Sequence, residues 1–529
     1  MIGGERDEGR ASPGGAPDIG AIVAERLSRR EVMGGLVAAA AAAMVPAWAA
    51  DAADGSALAF TELRKGLDET HHVARGYSAS VLIRWGDPVL ADAPTWHPVR
   101  QSAEAQARQF GTNNDFLAFL PLAQGSGRSD HGLLCVNHEY SRAAMMFDGV
   151  ADSREVTRAQ AEIEMAAHGH SVIEIRRDDG VWRVVSDSAH ARRLTASGTV
   201  LEMSGPAAGD PRLITKADPS GRKVVGTLNN CGGGVTPWGT VLLAEENFHF
   251  YFGGFVGSGP EAANLQRYGI GGPSRFGWLG HHDRFDVARN PNEANRFGWV
   301  VELDPFDPAS TPRKRTALGR FKHEAATVAI NRDGRVVVYS GDDQIFEYIY
   351  RFVSRERFDP ERPAANRDLL DEGTLSVARF GADGHLDWLP LVWGEGPLNP
   401  ENGFHGPADV VIEARRAADL LGATPMDRPE DIETNPTTGR VYVVLTGNAF
   451  RGAAQTDGPN PRGPNLSGHI LELIPPGGAG VDHGAERFLW NILLLAGQPR
   501  SANSAVSADG WLANPDNLAF DSRGRLWIA

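Results

Sequence analysis

Four times along this 529-residue chain a tight turn closed by glycine leads directly into an apolar strand. Trp238-Gly239 leads into Thr240–Ala244, and Asn331-Arg332-Asp333-Gly334-Arg335 into Val336–Ser340. Asn435-Pro436-Thr437-Thr438-Gly439-Arg440 leads into Val441–Thr446, and Asp521-Ser522-Arg523-Gly524-Arg525 into Leu526–Ala529. Glycine stands where such a turn needs a positive φ. The turn glycines lie 95, 105 and 85 residues apart. Strand–turn–strand units recurring at that length predict an all-β chain, a β-propeller with helical and loop insertions. The spacing fits either two ordinary four-stranded blades or one enlarged blade per unit. Stacked sandwiches share this content and are the competing architecture. With 62 Gly and 33 Pro, the composition suits many short strands and turns. Ser153–His168 carries the best helical pattern and reads as an insertion.

The residues just before each turn carry the chemistry. Cys231 precedes Gly239 by eight residues, Glu324 precedes Gly334 by ten, Glu430 precedes Gly439 by nine, and Asp516 precedes Gly524 by eight. Equivalent positions at the start of the innermost strands converge on the channel of a propeller. A thiolate and three carboxylates around one axis repel one another unless cations lie between them. The register therefore predicts metals. Oxygen ligands favour Ca²⁺, Mg²⁺ or oxidised iron, and one thiolate among them argues for a transition metal, iron first. No CxxC pair and no HExxH motif occurs, so the usual zinc patterns are absent. The stretch Asn229–Asn247, NNCGGGVTPWGTVLLAEEN, begins with the thiol and ends with Glu245, Glu246 and Asn247. Strand alternation lets only one of the two glutamates face the channel.

The other cysteine, Cys135, lies in the apolar run GLLCV and reads as a buried strand residue. A disulfide between the two cannot be deduced from sequence. Three tempting groups read as structural. Asn137-His138-Glu139 reads as a strand-end turn, and Asp342-Asp343 as a solvated turn. His281-His282-Asp283 has metal-site composition, but neighbours on a strand face opposite ways. The formal charge of -15 and the lack of sustained basic clusters exclude nucleic acid as a partner.

Residues 1–49 read as a twin-arginine export signal. Arg29-Arg30 precede an apolar run from Gly34 to Val45, then a small-residue cleavage pattern ending at Ala49. The run is too short for a comfortable membrane span. Beyond it, 47 Lys and Arg face 61 Asp and Glu, or -14, so the acidity belongs to residues 50–529.

Several long blocks, in order, resemble the PhoX-type alkaline phosphatases. They are NNCGGGVTPWGTVLLAEEN, NRFGWVVELDPFDP (295–308), GRFKHEAATVAINRDGRVVVYSGDD (319–343), LLDEGTLSVARF (369–380), MDRPEDIETNPTTGRVYVVLTGN (426–448) and NPDNLAFDSRGRLWIA (514–529). The resemblance implies a single propeller phosphatase domain over 50–529, with iron (Fe³⁺) and Ca²⁺ in its channel. It implies hydrolysis of small phosphate monoesters outside the cytoplasm, by a monomer delivered to the periplasm or beyond through the twin-arginine machinery. By similarity Cys231 ligates iron, and Glu324 and Glu430 belong to the iron–calcium cluster. Glu246 and Asp516 match further cluster carboxylates with a catalytic part, and the resemblance favours Glu246 over Glu245. Arg428 matches a residue that holds substrate phosphate. Asp431, Glu433, Asn247 and Asn517 follow by adjacency alone. No Ser-His-Asp arrangement is evident, which favours a metal-bound oxygen nucleophile over serine. The family pattern continues past Ala529, so the last propeller strands are expected to be missing and stability lowered. A calcium-dependent propeller lactonase and a non-catalytic calcium-binding propeller are the alternatives. Neither requires Cys231 or Arg428.

Overall fold

The computed structural model describes residues 61–123, 128–478, 480–499, 507 and 509–529. The twin-arginine segment lies outside the described residues.

The strands fall, in chain order, into four sheets. The first comprises β1 (Asn114–Pro121), β2 (His131–His138), β3 (Gly169–Asp178), β4 (Val181–Val184) and β5 (Arg192–Leu194). The second comprises β6 (Val200–Ser204), β7 (Lys223–Val225), β8 (Asn230–Val235), β9 (Val241–Glu245), β10 (Val300–Leu303) and β11 (Arg313–Arg315). Its spatial order runs β8-β9-β10-β11-β6-β7. The third holds nine strands: β12 (Thr327–Ile330), β13 (Arg335–Gly341), β14 (Ile349–Arg357), β15 (Gly373–Phe380), β16 (His385–Pro390), β17 (Pro429–Thr434), β18 (Val441–Leu445), β19 (His469–Ile474) and β20 (Arg487–Leu495). It reads as two blades, β12 to β16 and β17 to β20, joined where β16 pairs with β20. β21 (Leu518–Phe520) and β22 (Leu526–Ile528) form the last sheet.

Each unit has one inner strand, its opening strand at the axis, that packs on the inner strand of the next. β1 lies on β8, β8 on β12, β12 on β17, and β17 on β21. In each unit an antiparallel partner returns alongside: β2, β9, β13, β18 and β22. The architecture is the β-propeller that the repeat predicts, with one enlarged blade per unit. All four turn glycines have positive φ. A fifth unit, β1 to β5, lies outside the four turns of the repeat. The return strands β9 (VLLAE) and β18 (VYVVL) are buried at every residue, so they read as unbroken apolar runs and not as alternating ones.

Within the predicted insertion, the helix spans Arg158–Ala167. Thr157 caps it and Gln160 completes a capping box. Cys135 is buried in β2, as expected, and both cysteines are free. Among the described residues no helix is long and apolar enough to cross a membrane.

Candidate metal centre

The centre is built by one backbone rule repeated around the axis. At the head of four opening strands a residue in the left-handed region precedes an acid or thiol by two positions. Asn113 (φ 51°) precedes Asp115, Asn229 (φ 52°) precedes Cys231, Arg428 (φ 59°) precedes Glu430, and Asn514 (φ 53°) precedes Asp516. Asparagine tolerates that region best of the non-glycine residues. Arginine does so at a cost of about 1 kcal/mol or more, which the surrounding contacts must offset. Lys322 holds the corresponding place before Glu324.

The return strand then delivers a second residue beside each first. The N–H of Glu139 donates to Asn113 O at 3.0 Å, that of Glu246 to Asn229 O at 2.9 Å, and that of Asp343 to Lys322 O at 3.0 Å. In the fourth unit Thr446 fills this place, its N–H 3.3 Å from Arg428 O.

Three overlapping donor groups result: Asp115, Glu139 and Cys231; Cys231, Glu246 and Glu324; Glu324, Asp343 and Glu430. Within each, one ligand atom per residue lies within 4.8 Å of the others. Cys231 and Glu324 are each shared by two groups, and their Sγ and Oε1 are 3.3 Å apart. Asp516 stands outside these groups on an exposed stretch, where it hydrogen-bonds Glu430. Arg428 donates from Nε and Nη2 to the two oxygens of Asp343 at 2.9 and 2.8 Å, and Nη2 lies 2.8 Å from Glu430.

The electrostatics of this set favour positive charge among its members. Burial, then the neighbouring carboxylates, push Glu246, Glu324 and Glu430 far above the usual carboxyl range. Burial and the same crowding lift Glu139 to about 8 and drive the Cys231 thiol well up. Against seven acids and a thiol, Arg428 and Lys322 supply positive charge. Lys322 is itself pulled down to about 8 by burial and by Arg415. A cluster so acidic and so buried fits cations held between its members. The mixture of one sulfur with many oxygens fits a hard metal beside a softer one.

Surrounding contacts hold the donors in place. The Asn137 amide donates to the carbonyls of Cys231 (2.7 Å) and Gly232 (2.9 Å), and its oxygen meets His170 Nδ1 at 2.8 Å. Glu245 turns away from the channel and forms a fully buried pair with Lys314 at 2.7 Å. It also accepts from Thr227 Oγ1 and from the N–H groups of Leu228, Gly298 and Trp299. That network leaves Glu246 as the residue facing the cluster.

Of the residues predicted from sequence, Cys231, Glu246, Glu324 and Glu430 come together, Arg428 pairs inside the set, and Asp516 stands at its edge. Asp431 is directed elsewhere and accepts from Leu518 N–H at 2.8 Å, tying β17 to β21. Two readings are corrected. Glu139 is more than a strand-end turn residue and lies with Asp115 and Cys231, and Asp343 is not in a solvated turn but buried with Glu324 and Glu430. Both follow their strands as Glu246 follows β9, and that parallel was legible. Asp115 was also missed, although Asn113-Asn114-Asp115 repeats the form of Asn229-Asn230-Cys231. Asp342 is structural, paired with the buried Arg415.

Fold and site together define a β-propeller with a metal-type acidic centre in its channel. The sequence matches the family described as alkaline phosphatase PhoX over residues 58–529, and the chain belongs to that family. It is similar to the structure of Pseudomonas fluorescens PhoX in complex with vanadate, a transition state analogue. Identity is 41% and the TM-score 0.82, over 89% of this chain and 83% of that one. No curated protein matches it. The chain is thus a phosphoric monoester hydrolase, which sets aside the lactonase and non-catalytic readings.

Proposed function

We propose that this phosphatase works outside the cytoplasm on small phosphate monoesters, with iron and calcium in the propeller channel. The observation that carries the metal assignment is the chain of three donor groups joined through Cys231 and Glu324. In this reading Cys231, Glu324 and Glu246 hold iron, and the remaining carboxylates, with Glu430 and Asp516 at the outer side, hold calcium. Bound there, the metals would supply positive charge to the phosphoryl oxygens and to the attacking group. Arg428 spends Nε and Nη2 on Asp343 and Glu430. Its remaining nitrogen is free to donate to a phosphoryl oxygen, with the guanidinium plane already fixed. Lys322 holds the place equivalent to Arg428 and adds a second cation. Its ammonium lies 3.2 Å from His249 Nε2. Glu246 and Asp516 border the same space and orient the reacting groups.

Metal content and p-nitrophenyl phosphate hydrolysis, measured together, test this. The purified protein is expected to carry iron and calcium. Arg428→Ala is expected to keep both while kcat/KM falls about 100-fold, the scale seen when one transition-state donor is removed. Calcium without iron, or Arg428→Ala at full activity, would overturn the assignment.

For location, the twin arginines carry the proposal. Arg29→Lys with Arg30→Lys is expected to leave the protein in the cytoplasmic fraction. Unchanged export of that variant would refute it.

A further inference from the structure

The chain leaving Glu246 forms a short turn, Phe248–Tyr251, that walls a cavity of about 510 Å³. His249, Phe250, Phe252, Ser274 and Arg275 line it. The cavity adjoins the centre on two sides. His249 touches Lys322, two residues before Glu324. Arg275 lies over the ring of Tyr140, the residue that follows Glu139.

Arg275 is unusual for so acidic a chain. It is exposed, and its guanidinium lies over Phe250 at 4.6 Å and over Tyr140 at 5.4 Å. Arg142 covers the same Tyr140 ring at 5.6 Å and donates to its hydroxyl at 3.0 Å. Among the described residues, neither arginine forms an ion pair. Arg154, the other cation on the cavity wall, is by contrast held by Asp152 through Nε at 3.0 and 2.9 Å. A guanidinium held on aromatic faces keeps its edge free and loses little hydration when an anion arrives. The surrounding acids would otherwise repel any negative group approaching from this side.

We propose that this cavity receives the leaving group of the phosphomonoester and that Arg275 selects leaving groups bearing a carboxylate of their own. The proposal rests on the phosphatase reading of the adjoining centre. The scissile phosphate lies at the acidic cluster. The alcohol it leaves extends past Lys322 and His249, and its carboxylate meets the free edge of Arg275. The preferred substrate class is therefore the phosphate monoesters of hydroxy acids.

A matched pair tests it: 3-phosphoglycerate and glycerol 3-phosphate, which differ by a carboxylate in place of a hydroxymethyl group. Wild type is expected to favour 3-phosphoglycerate in kcat/KM by about tenfold, the worth of one charge-assisted hydrogen bond. Arg275→Gln is expected to bring the ratio to about one and leave glycerol 3-phosphate within about threefold of wild type, since only the carboxylate contact is lost. Arg275→Lys should restore part of the preference. No preference in wild type, a preference that survives Arg275→Gln, or an equal fall on both substrates would overturn the assignment of Arg275. Wild-type protein that cleaves neither ester would instead overturn the phosphatase reading on which it rests.

Discussion

Alanine at position 231 is expected to remove iron and phosphatase activity together and to leave the propeller folded. The Cys231 sulfur is shared by two of the three donor groups and lies 3.3 Å from Glu324. Burial and the charges of Glu324, Glu139, Asp115 and Glu246 all oppose a thiolate there. A bound cation reverses that balance, because it favours the deprotonated sulfur that ligates it. Alanine leaves an all-oxygen set, which keeps calcium better than iron. Losing one sulfur atom from a packed site costs about 1 kcal/mol, so the melting temperature should move little. Activity should fall beyond the roughly 10–100-fold seen when a group behind a metal ligand is replaced. Cys135→Ala is the matched control. That thiol is buried in β2 and its pKa is raised by burial alone, so iron and activity should persist. Elemental analysis and p-nitrophenyl phosphate turnover on both variants decide the matter. Wild-type turnover from Cys231→Ala would show the thiol to be structural.

How much of this centre could be read from the chain depends on which strand carries each residue. Cys231, Glu324 and Glu430 share an opening-strand position marked by the glycine turn that follows, and a repeat in sequence exposes such positions. Asp115 holds the same position in the first unit, which the four-turn repeat does not include. Glu139 and Asp343 are brought in by the antiparallel ladder. Asn114 pairs with His138, Asn230 with Glu245, and His323 with Asp342, so the next residue of each return strand lands beside a first-strand donor. A single strand read alone cannot distinguish such an end from a solvated turn. Pairing Glu246 with Cys231 held the clue that Glu139 and Asp343 obey the same rule. Strand alternation alone leaves Glu245 and Glu246 open and the resemblance favours Glu246; the physical reason, Lys314 holding Glu245, lies 69 residues away in sequence and only the folded chain supplies it. Lys322 escaped notice because a lysine among acids gains meaning only once its place is seen to match that of Arg428. The number of strands in each blade was likewise beyond the repeat. It depends on outer strands such as β6 and β7, which precede the inner strand of their own sheet in sequence.

Gly232→Ala is expected to damage fold and centre at once, and more than any substitution of a single ligand. A Cβ at position 232 would fall 1.4 Å from the carbonyl oxygen of Glu324 and 2.4 Å from its carbonyl carbon. Gly234, on the same face of β8, would place one 2.0 Å from the carbonyl oxygen of Ala326. Residues two apart share a face of a strand, so the glycines at 232 and 234 are what let β8 and the segment entering β12 approach this closely. The obstacle is backbone and cannot be relieved by a rotamer change. Asn137 also donates to the Gly232 carbonyl, which resists a simple shift of β8. The two segments would have to separate, and they carry Cys231 and Glu324. Overpacking of this kind costs about 3 kcal/mol or more when backbone must move. The expected result is a clearly lowered melting temperature, less iron per chain and a matching loss of phosphate release. Gly259→Ala provides the comparison, since a Cβ there meets nothing within 4 Å, and it should match wild type in all three. If Gly232→Ala also matched wild type in melting temperature and iron content, the close approach of β8 to Glu324 could not be what sets the geometry of the centre.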